Sequence, residues 1–538
     1  MDKYKKKLSE ALLTFNLVFI KLINILNYFF VKKSINDLST IIINTQYVQR
    51  YSLVEAIFGN FLKYRGFKVK GLVCAGYNYC EMHKKNVEPP NCFQCRNNTF
   101  NLLKAANIES VDLENLNAKS TMNNIDLKEF NLKEVKKNKA NYTNYPLGET
   151  MYWNWLHYTN GYILPEATIE NKKKLIDIYE ATVGSYESIE NAIKLFKPKY
   201  VITCNGKFAQ TRPAYYLKDF YNYTCLTWEN FAMDNSFVWL RNALSMDQNI
   251  HNYWDYVSNL VLSNDEVDKV KKDFQSLKTG QNLKWSFLDK INLTDEKKIY
   301  EKLKLDKNKI IVSFFPPIAW DSTGITHFLE DLDFFEIMDF MIKNLKNYEN
   351  VQLVIRTHPA ENNLPDYLKS SASIIEILKN LNPTMSKNIF LIPGDSEISS
   401  HALCSISDEL LFYGSTLGLE MLYNKRKVNC IGVQSYYAKK GLSNDIITKE
   451  GLIKFFKRLN DIYYKTQRRT DIEYLDDKQH KKVLNLAYYV RFKLRSSLSI
   501  IKRGILIPTL FRYFAYIKYS RNLQSYLEKK KLPFDLNS

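Results

Sequence analysis

The segment from Gly414 to Glu420 combines residue types that bind phosphate and sugar hydroxyls. It follows the apolar run Glu409–Phe412, a predicted strand, and it precedes a helical pattern. Backbone N–H groups at a helix start attract phosphate, and the hydroxyls of Ser415 and Thr416 would add donors. Gly414 permits close approach of a ligand, and the Glu420 carboxylate could bind ribose or sugar hydroxyls. The alternative is ordinary N-capping with a solvated Glu420.

A histidine follows a second predicted strand, Val351–Arg356, in the sequence R-T-H-P-A-E. The proline after His358 stiffens the turn that carries it. An imidazole at a strand end can donate to a phosphate or assist proton transfer. We predict His358 as a catalytic residue, with Arg356 and Glu361 in a binding role. Arg356 alternatively closes the edge of the core.

The elements that must position these residues alternate between strand and helix. A strand at Ser39–Asn44, a helix at Val54–Tyr64 and a strand at Phe67–Cys74 form a predicted βαβ unit, which implies a parallel sheet. After a polar stretch from Asn264 to Asn308, the alternation of predicted strands and helices resumes with the strand Lys309–Phe315. The sequence therefore predicts an α/β fold of two Rossmann-like halves with a cleft between them.

The first half has its own strand-end candidates. The predicted strand Tyr200–Cys204 stops at Asn205, Gly206 and Lys207, with Arg212 shortly after. Loops at the carboxyl ends of strands line the ligand crevice in doubly wound sheets. We expect these four residues to meet a ligand, although a simple turn is sufficient to explain the glycine.

The charge of the chain narrows the class of partner. The chain has 538 residues, of which 45% are hydrophobic and 25% charged, and a net charge of +19. This composition excludes bulk disorder, and the charge favours nucleic acid, acidic lipid or a phosphorylated substrate as partner. The spacings of nucleic-acid modules such as RRM, KH or zinc-finger domains do not occur, so we predict no nucleic-acid partner.

Both ends of the chain combine basic and apolar residues. In the apolar stretch Ala11–Val31, Lys21, Asn24 and Asn27 share one helical face, which predicts an amphipathic helix lying on a membrane or on the protein body. A membrane span is the alternative. The region Tyr488–Arg521 mixes basic and aromatic residues and suits either an anionic membrane surface or a helix that covers the body.

Four cysteines near the N-terminus could hold a structural zinc ion. Cys74, Cys80, Cys92 and Cys95 have the spacing C-x5-C-x11-C-x2-C, and the last pair suits a zinc hairpin. The first gap is unusual for a zinc knuckle, so reduced loop cysteines are the alternative. A reduced, cytosolic setting is the simpler reading of eight cysteines in a chain of this length.

Three motifs together resemble the capsule and surface polysaccharide biosynthesis glycosyltransferases of GT-B architecture. They are VIRTHPAE around His358, YGSTLGLE around Ser415, and the Y-x-x-K-G-x-S loop Tyr437–Ser443. The four cysteines, the Asn-Gly-Lys turn and Trp320-Asp321 add to the resemblance, which covers about residues 38–450. Lys207 departs from it, because arginine is more frequent at that position.

The resemblance implies transfer of a sugar from a nucleotide-activated donor to a lipid-linked or growing bacterial surface polysaccharide. Ser415 and Thr416 would bind the donor diphosphate, while His358 and Lys440 would lie near the leaving phosphate. Helix N-termini and basic side chains would stabilise the departing charge, so no cofactor or divalent cation is expected. Asp331-Leu332-Asp333 superficially matches a metal-binding D-x-D motif, but it is predicted to cap a helix.

The acceptor side is predicted in the first half, with Asn205, Gly206, Lys207 and Arg212. Glu229, after the strand-like Tyr223–Thr227, is the predicted catalytic base, and His157 is a second candidate. Neither has supporting spacing. A teichoic-acid-type CDP-glycerol glycerophosphotransferase and a non-catalytic polysaccharide export or accessory factor are the alternative functions.

These expectations define an order of domains along the chain. An amphipathic helix at 1–35 precedes an acceptor domain at 36–300 with an insertion at about 97–150. A nucleotide-sugar domain at 301–465 and a basic helical segment at 466–538 follow. The expected location is the cytoplasmic face of the inner membrane, with the protein held peripherally.

Overall fold

The computed structural model describes most of the chain. The described residues are 2–32, 39–45, 51–83, 91–116, 145, 147–161, 169–230, 236–245, 250–279, 293–319, 329–330, 332–363, 369–370, 372–432, 435–467, 471–497, 500–502, 505–506 and 509–528. They form two compact units. Unit 1 takes its described residues from 1–158, 164–246 and 492–538, and unit 2 from 159–163 and 247–491.

Unit 1 is built on a seven-stranded sheet. Its strands are β1 (Thr40–Thr45), β2 (Lys68–Val73), β3 (Glu109–Asp112), β4 (Tyr200–Cys204), β5 (Thr224–Asn230), β6 (Ser236–Arg241) and β13 (Arg495–Ser497). The order is β13-β6-β5-β4-β1-β2-β3. Strands β1 to β5 pair in parallel, whereas β5–β6 and β6–β13 pair antiparallel.

Helices cover both faces of this sheet, as its parallel core requires. They are α1 (Asp2–Phe30), α2 (Tyr51–Arg65), α3 (Cys92–Ala105), α4 (Leu147–Tyr158), α5 (Ile169–Phe196), α6 (Arg212–Tyr216), α7 (Lys218–Tyr221) and α18 (Leu510–Leu527). A short hairpin of β14 (Ile501–Lys502) and β15 (Ile505–Leu506) precedes α18.

The predicted βαβ opening of unit 1 is confirmed as β1-α2-β2. In contrast, the first part of the predicted insertion at 97–150 belongs to the sheet layer, because α3 and β3 occupy it. β3 reads Glu-Ser-Val-Asp and lies at the sheet edge with none of its residues buried, so its hydrophobic signal is weak. Residues 117–144 lie outside the described part of the chain.

Unit 2 is built on a six-stranded sheet whose strands all pair in parallel. The strands are β7 (Ile310–Phe315), β8 (Val351–Arg356), β9 (Ile389–Ile392), β10 (Glu409–Phe412), β11 (Asn429–Ile431) and β12 (Asn444–Ile446), in the order β12-β11-β10-β7-β8-β9. Counted within the unit, this is the 3-2-1-4-5-6 order of a classic Rossmann sheet.

Ten helices accompany the sheet in the described part of unit 2. They are α8 (Trp254–Ser258), α9 (Asn264–Thr279), α10 (Glu296–Leu303), α11 (Phe334–Leu345), α12 (Ala360–Asn363), α13 (Ile374–Leu381), α14 (Ser400–Ile406), α15 (Thr416–Tyr423), α16 (Lys449–Thr466) and α17 (Asp477–Tyr488). The polar stretch from Asn264 to Asn308 thus supplies α9. Its Glu266 accepts a hydrogen bond from Tyr488, and its Asp273 pairs with Arg491.

Each sheet has one point where the strand order reverses. In unit 1 it lies between β1 and β4, and in unit 2 between β7 and β10. Ligands of doubly wound proteins bind outside the carboxyl ends of the strands at this switch point. The predicted turn at Asn205 follows β4, and the segment at Gly414 follows β10. Both predicted binding loops therefore lie at a switch point.

The two ends of the chain pack on unit 1. The C-terminal helix α18 contacts α2, since the Tyr516 hydroxyl donates to the Ile57 carbonyl at 2.6 Å. It also contacts β6, where Trp239 donates to the Tyr519 hydroxyl at 2.6 Å. The structure therefore divides the region predicted as one segment at 466–538, with α17 in unit 2 and α18 in unit 1.

The side of α1 that faces the protein combines asparagines with the buried aliphatic residues Ile20 and Ile23. Asn27 is fully buried and donates to Asn60 of α2 at 2.6 Å, while it accepts from Tyr513 of α18 at 2.9 Å. Asn24 accepts from Asn60 at 2.9 Å and from Tyr64 at 2.8 Å. The helix is thus fixed to unit 1 through hydrogen bonds between asparagine and its partners.

This arrangement predicts that a buried asparagine of α1 contributes more to stability than an exposed aliphatic residue. Asn27→Ala leaves buried polar atoms of Asn60 and Tyr513 without their partner and is expected to cost about 1–3 kcal/mol of unfolding free energy. Ile25→Ala, at a position 53% exposed, is expected to cost less than about 0.5 kcal/mol. Urea unfolding followed by circular dichroism tests both. Equal losses for the two variants would contradict the packing.

Candidate functional site

Helix α15 begins with the residues predicted to bind phosphate. Ser415 is its N-cap, with its hydroxyl accepting from the Leu417 N–H at 3.1 Å. Gly414 has φ of 114°, a left-handed value that favours glycine. Thr416 is exposed in the first turn. The capping alternative therefore holds for Ser415, and the Thr416 hydroxyl and the positive helix end lie at the surface.

Tyr437 joins two of the motifs. Its ring is fully buried, and its hydroxyl lies 3.4 Å from the Ser415 N–H, which donates to it. The same hydroxyl packs on Gly418, where a Cβ atom would overlap it and would lie 2.7 Å from Cζ of the tyrosine. Only glycine at 418 permits this contact. The packing holds the Tyr437–Lys440 turn against the start of α15.

Lys440, at the end of that turn, is buried. Its ammonium group donates to the Ala438 carbonyl at 3.0 Å and to Nδ1 of His251 at 3.2 Å, and it lies over the Trp254 ring at 5.7 Å. Burial lowers the pKa of Lys440 to about 8, although Asp445 opposes this shift. The cation is therefore buried inside unit 2, and His251 is a partner that the sequence did not indicate.

Glu420 is held by a histidine that sequence reasoning missed. His401 of α14 places Nε2 at 2.9 Å from the Glu420 Oε2. The carboxylate is largely covered, while the imidazole is about one-third exposed. Glu420 lies one turn along α15 from the start of the helix, where the predicted phosphate-binding residues are. His401 and Glu420 are 19 residues apart and share no motif, so only the fold brings them together.

His358 lies directly beyond the carboxyl end of β8 and is partly exposed. Its Nδ1 accepts the Ala360 N–H at 3.0 Å, and its carbonyl accepts the Glu361 N–H at 2.9 Å. Because Nδ1 is an acceptor here, the neutral ring carries its proton on Nε2. The turn thus fixes the orientation of the ring, with Nε2–H as its donor.

Arg356 and Glu361 have structural partners. The buried guanidinium of Arg356 donates to the carbonyls of Thr357 at 2.9 Å and Ser396 at 3.3 Å, and burial lowers its pKa to about 10. Glu361 accepts the Ile374 N–H at 2.6 Å, and burial raises its pKa. Both side chains hold the loops around His358, and their predicted role in ligand binding stays a prediction.

The two loop groups of unit 2 lie at one sheet edge. Register places Phe315 beside Phe412, with Phe314 beside Ile355, so that β7, β8 and β10 end at the same level. The stacked rings of Phe315 and Phe412 have centroids 5.2 Å apart. His358 follows β8 and Gly414 follows β10. These two strands flank β7, so they lie two strand spacings, or about 10 Å, apart.

The Asn-Gly-Lys turn of unit 1 is internally bonded. Asn205, with φ of 39°, accepts the Lys207 N–H at 3.0 Å and the Thr211 hydroxyl at 2.9 Å. Its amide reaches Glu81 at 3.5 Å. Gly206 also has a left-handed φ of 78°, and Lys207 is fully buried. Asn205 and Gly206 therefore shape the loop, which brings Lys207 to the switch point.

Arg212 is the first residue of α6 and lies against aromatic rings. Its guanidinium carbon is 4.9 Å from the centre of the Trp153 ring and 5.5 Å from that of Tyr215. It also pairs with Glu149 at 3.4 Å. His157, the second candidate base, packs on the Phe208 ring with centroids 4.6 Å apart. Both side chains are thus engaged near the same loop.

Acidic side chains surround the end of β4. Glu229, the predicted base, and two further carboxylates, Glu55 and Glu81, act electrostatically on buried Cys204. Glu55 accepts the Trp228 indole N–H at 3.0 Å, and its burial raises its pKa to about 8. Sequence reasoning missed Glu55 and Glu81. The signal for Glu55 is a single acidic residue on the buried face of α2.

The structure does not assemble the predicted zinc site. Cys92 and Cys95 lie in the first turn of α3 and not in a hairpin, and burial raises the pKa of both Cys74 and Cys80. Within the described ranges, no group of three or more histidine, cysteine, aspartate or glutamate residues is placed to hold a metal ion.

The capping interpretation of the D-x-D motif is confirmed at its last residue. Asp333 caps α11, with its side chain accepting the N–H groups of Phe335 at 3.0 Å and Glu336 at 2.9 Å. Asp331 and Trp320-Asp321 lie outside the described residues.

Comparison with known proteins gives distant similarities. No protein-family model and no curated protein matches the chain. Among solved structures, it is similar to the beta Kdo 2,4 transferase KpsC of Thermosulfurimonas dismutans, at 12% identity and a TM-score of 0.32 over 60% of this chain and 87% of that one. The calicheamicin glycosyltransferase CalG4 shows 10% identity and a TM-score of 0.22, covering 91% and 98%.

A third similar structure is the UDP-GlcNAc 2-epimerase of Neisseria meningitidis bound to UDP-GlcNAc. Identity is 12% and the TM-score 0.24, with 85% of this chain and 98% of that one covered. These values are too low to assign an activity. The functional assignment therefore rests on the residues of the chain itself.

The buried Glu55 predicts a pH dependence of stability. Its folded pKa of about 8 lies above the ordinary glutamate value of 4.5, so its stabilising effect is complete below about pH 4.5 and is lost as the pH rises through 8. Between pH 6 and 8 the loss should be about 2 kcal/mol. Urea unfolding at both pH values should show this for the native chain but not for Glu55→Gln.

Glu109→Gln is the control for that experiment, because this carboxylate is 67% exposed in the same unit. Its pH profile should match that of the native chain. If Glu55→Gln also follows the native profile, Glu55 is charged in the folded protein and the assignment of its protonated state is wrong.

Proposed function

We propose that the protein is a glycosyltransferase that moves a sugar from a nucleotide-activated donor to a lipid-linked or growing surface polysaccharide. The observation that carries the proposal is the convergence of three motifs at one edge of the unit 2 sheet. The His358 turn, the start of α15 and the Tyr437–Lys440 turn surround the switch point where a Rossmann sheet binds its ligand.

The chemistry of this edge suits a departing diphosphate. In the transfer, the bond between the anomeric carbon and the phosphate oxygen breaks, and the nucleoside diphosphate leaves with the electron pair. The positive end of α15, the Lys440 cation and the His358 Nε2–H stabilise the charge that develops there. Glu420, oriented by His401, accepts from ribose or sugar hydroxyls.

The acceptor is assigned to unit 1. An acceptor hydroxyl attacks the anomeric carbon and loses its proton to a carboxylate, for which Glu229 at the end of β5 remains our candidate. Glu55 is a poorer base, because its raised pKa keeps it mainly protonated at neutral pH. A lipid-linked acceptor is anchored in a membrane, so the proposal places the protein peripherally on the cytoplasmic face.

The decisive experiment is a thermal-shift and turnover screen of the full chain. Nucleotide sugars, CDP-glycerol and the free nucleotides are compared, with lipid-linked acceptors present in the turnover assay. Transfer from a nucleotide sugar supports the proposal, and transfer from CDP-glycerol alone assigns a glycerophosphotransferase. The absence of any response to nucleotides would indicate a non-catalytic accessory protein.

Two substitutions can separate the roles of the two ring nitrogens of His358. His358→Asn retains an acceptor for the Ala360 N–H but lacks the distal donor, so it should fold normally and lose roughly 100-fold or more in kcat. His358→Gln retains a distal N–H and should keep more of the activity than the asparagine variant. Steady-state turnover and melting temperature are measured for both. Undiminished kcat in His358→Asn would remove the histidine from the chemistry.

The pair of Glu420 and His401 should act on donor binding. Glu420→Gln is expected to weaken donor binding about tenfold, because a hydrogen bond to a charged group is lost. His401→Ala should raise the donor KM more than it lowers kcat, as expected of a positioning residue. Glu450→Gln, at a site of unit 2 whose side chain is 74% exposed, is the matched control. Titration calorimetry that gives equal affinities for all three would exclude Glu420 from the donor site.

A further inference from the structure

The outer side of α1 carries a continuous apolar stripe. Its members recur at spacings of three and four residues and are Phe15, Val18, Leu22, Ile25 and Phe29. All are exposed, and the exposure reaches 59% at Val18 and 71% at Phe29. The stripe extends over about 21 Å of helix. A soluble surface rarely leaves such a patch uncovered unless it is a binding surface.

The position of α1 excludes a rearrangement that would bury this stripe within unit 1. The opposite side of the helix is bonded to the body along its length, since Asn16 accepts the Leu506 N–H at 3.0 Å and Asn24 and Asn27 bond to α2. Turning the helix inward would break these bonds and bury its exposed lysine, Lys21. The apolar side thus faces outward because the opposite side of the helix is bonded to unit 1.

Helix α18 extends the patch and adds positive charge. Phe30 of α1 contacts Phe514 with ring centroids 5.9 Å apart, and Phe511 is 83% exposed nearby on the same helix. A surface depression with a volume of about 330 Å³ lies beside Phe30 and Phe514, and Lys518 and Arg521 line it. The sequence of α18 contains no aspartate or glutamate. Lys518 and Arg521 therefore border the apolar and aromatic side chains, and the acid at the end of this helix is its C-cap residue, Glu528.

We propose that this surface, formed by the outer sides of α1 and α18, lies in the interface of an anionic membrane. Aromatic and aliphatic side chains would enter the boundary between headgroups and acyl chains, and Lys518 and Arg521 would bind lipid phosphates. The segment Ala11–Phe30 is the one described helix that is long and apolar enough to span a membrane. Its hydrogen bonds to unit 1 favour a position parallel to the surface.

A second copy of the chain is the competing occupant of the stripe. Spacings of three and four also occur in coiled coils, which need the pattern over at least three or four heptads. Here the stripe covers two heptads, and the adjacent positions Phe19 and Leu26 are apolar instead of forming charged pairs. The clustered cations would also repel their copies across a symmetric interface. These features favour lipid.

Vesicle sedimentation of the full chain tests the proposal. The native protein should bind vesicles of phosphatidylglycerol and phosphatidylcholine at low salt and bind pure phosphatidylcholine more weakly. The outer-side variant, Val18→Gln with Ile25→Gln and Phe514→Gln, should lower partitioning at least about tenfold. A control variant changes three exposed apolar residues elsewhere, Leu195, Phe220 and Val261, to glutamine and should bind normally.

The cations are tested separately from the apolar side chains. Lys518→Gln with Arg521→Gln should weaken binding to the anionic vesicles by about fivefold for each charge and leave binding to neutral vesicles unchanged. Lys379→Gln with Lys387→Gln, at exposed sites of unit 2, is the charge control. Melting temperature and nucleotide binding of each variant show that unit 1 and the proposed donor site remain intact.

Several outcomes would overturn the proposal. One is native protein that does not bind anionic vesicles, and another is an outer-side variant that binds as well as the native chain. Analytical ultracentrifugation that shows a native dimer dissociated by the outer-side variant, without vesicle binding, would assign the surface to a second copy. Resistance of the cell-expressed protein to alkaline carbonate would indicate a spanning helix instead of an interfacial one.

Discussion

Parallel pairing of β7 with both β8 and β10 is the constraint on which the candidate site depends. Parallel strands end at the same edge of a sheet, and the observed register brings Phe315, Arg356 and Phe412 to one level. Every residue that follows these strands is therefore delivered to the same edge. The chain between His358 and Gly414 includes β9 and α14, yet the two loops lie only two strand spacings apart.

Close packing then turns this edge into a site. Gly418 lets the Tyr437 ring lie against α15, and the tyrosine hydroxyl accepts from the N–H of Ser415. The turn after Tyr437 in turn buries Lys440, whose charge is retained because its lowered pKa of about 8 still exceeds neutral pH. Arg356 acts similarly on the other side by bonding the loop after β9. The residues that hold the loops in place and the candidate functional residues are thus neighbours in sequence.

Local pattern explains which parts could be predicted. The bounds of β8 and β10 agree with the predicted ones, because Val351–Arg356 and Glu409–Phe412 carry strong apolar patterns. The edge strand β3 has one apolar residue and was missed. The pairing of His401 with Glu420, and the carboxylates around Cys204, arise from contacts distant in sequence, which periodicity does not encode.

The same limit applies to α1, where spacing showed two faces but not which one is inside. The inward side combines Ile20 and Ile23 with Asn27, whose partners Asn60 and Tyr513 lie 33 and 486 residues away. Amide and phenol groups satisfy each other fully in that contact, so the burial of polar atoms carries little penalty. Once those bonds fix the helix, its outer apolar side faces away from unit 1. An outward apolar surface is therefore a consequence of how the core of unit 1 satisfies its polar groups.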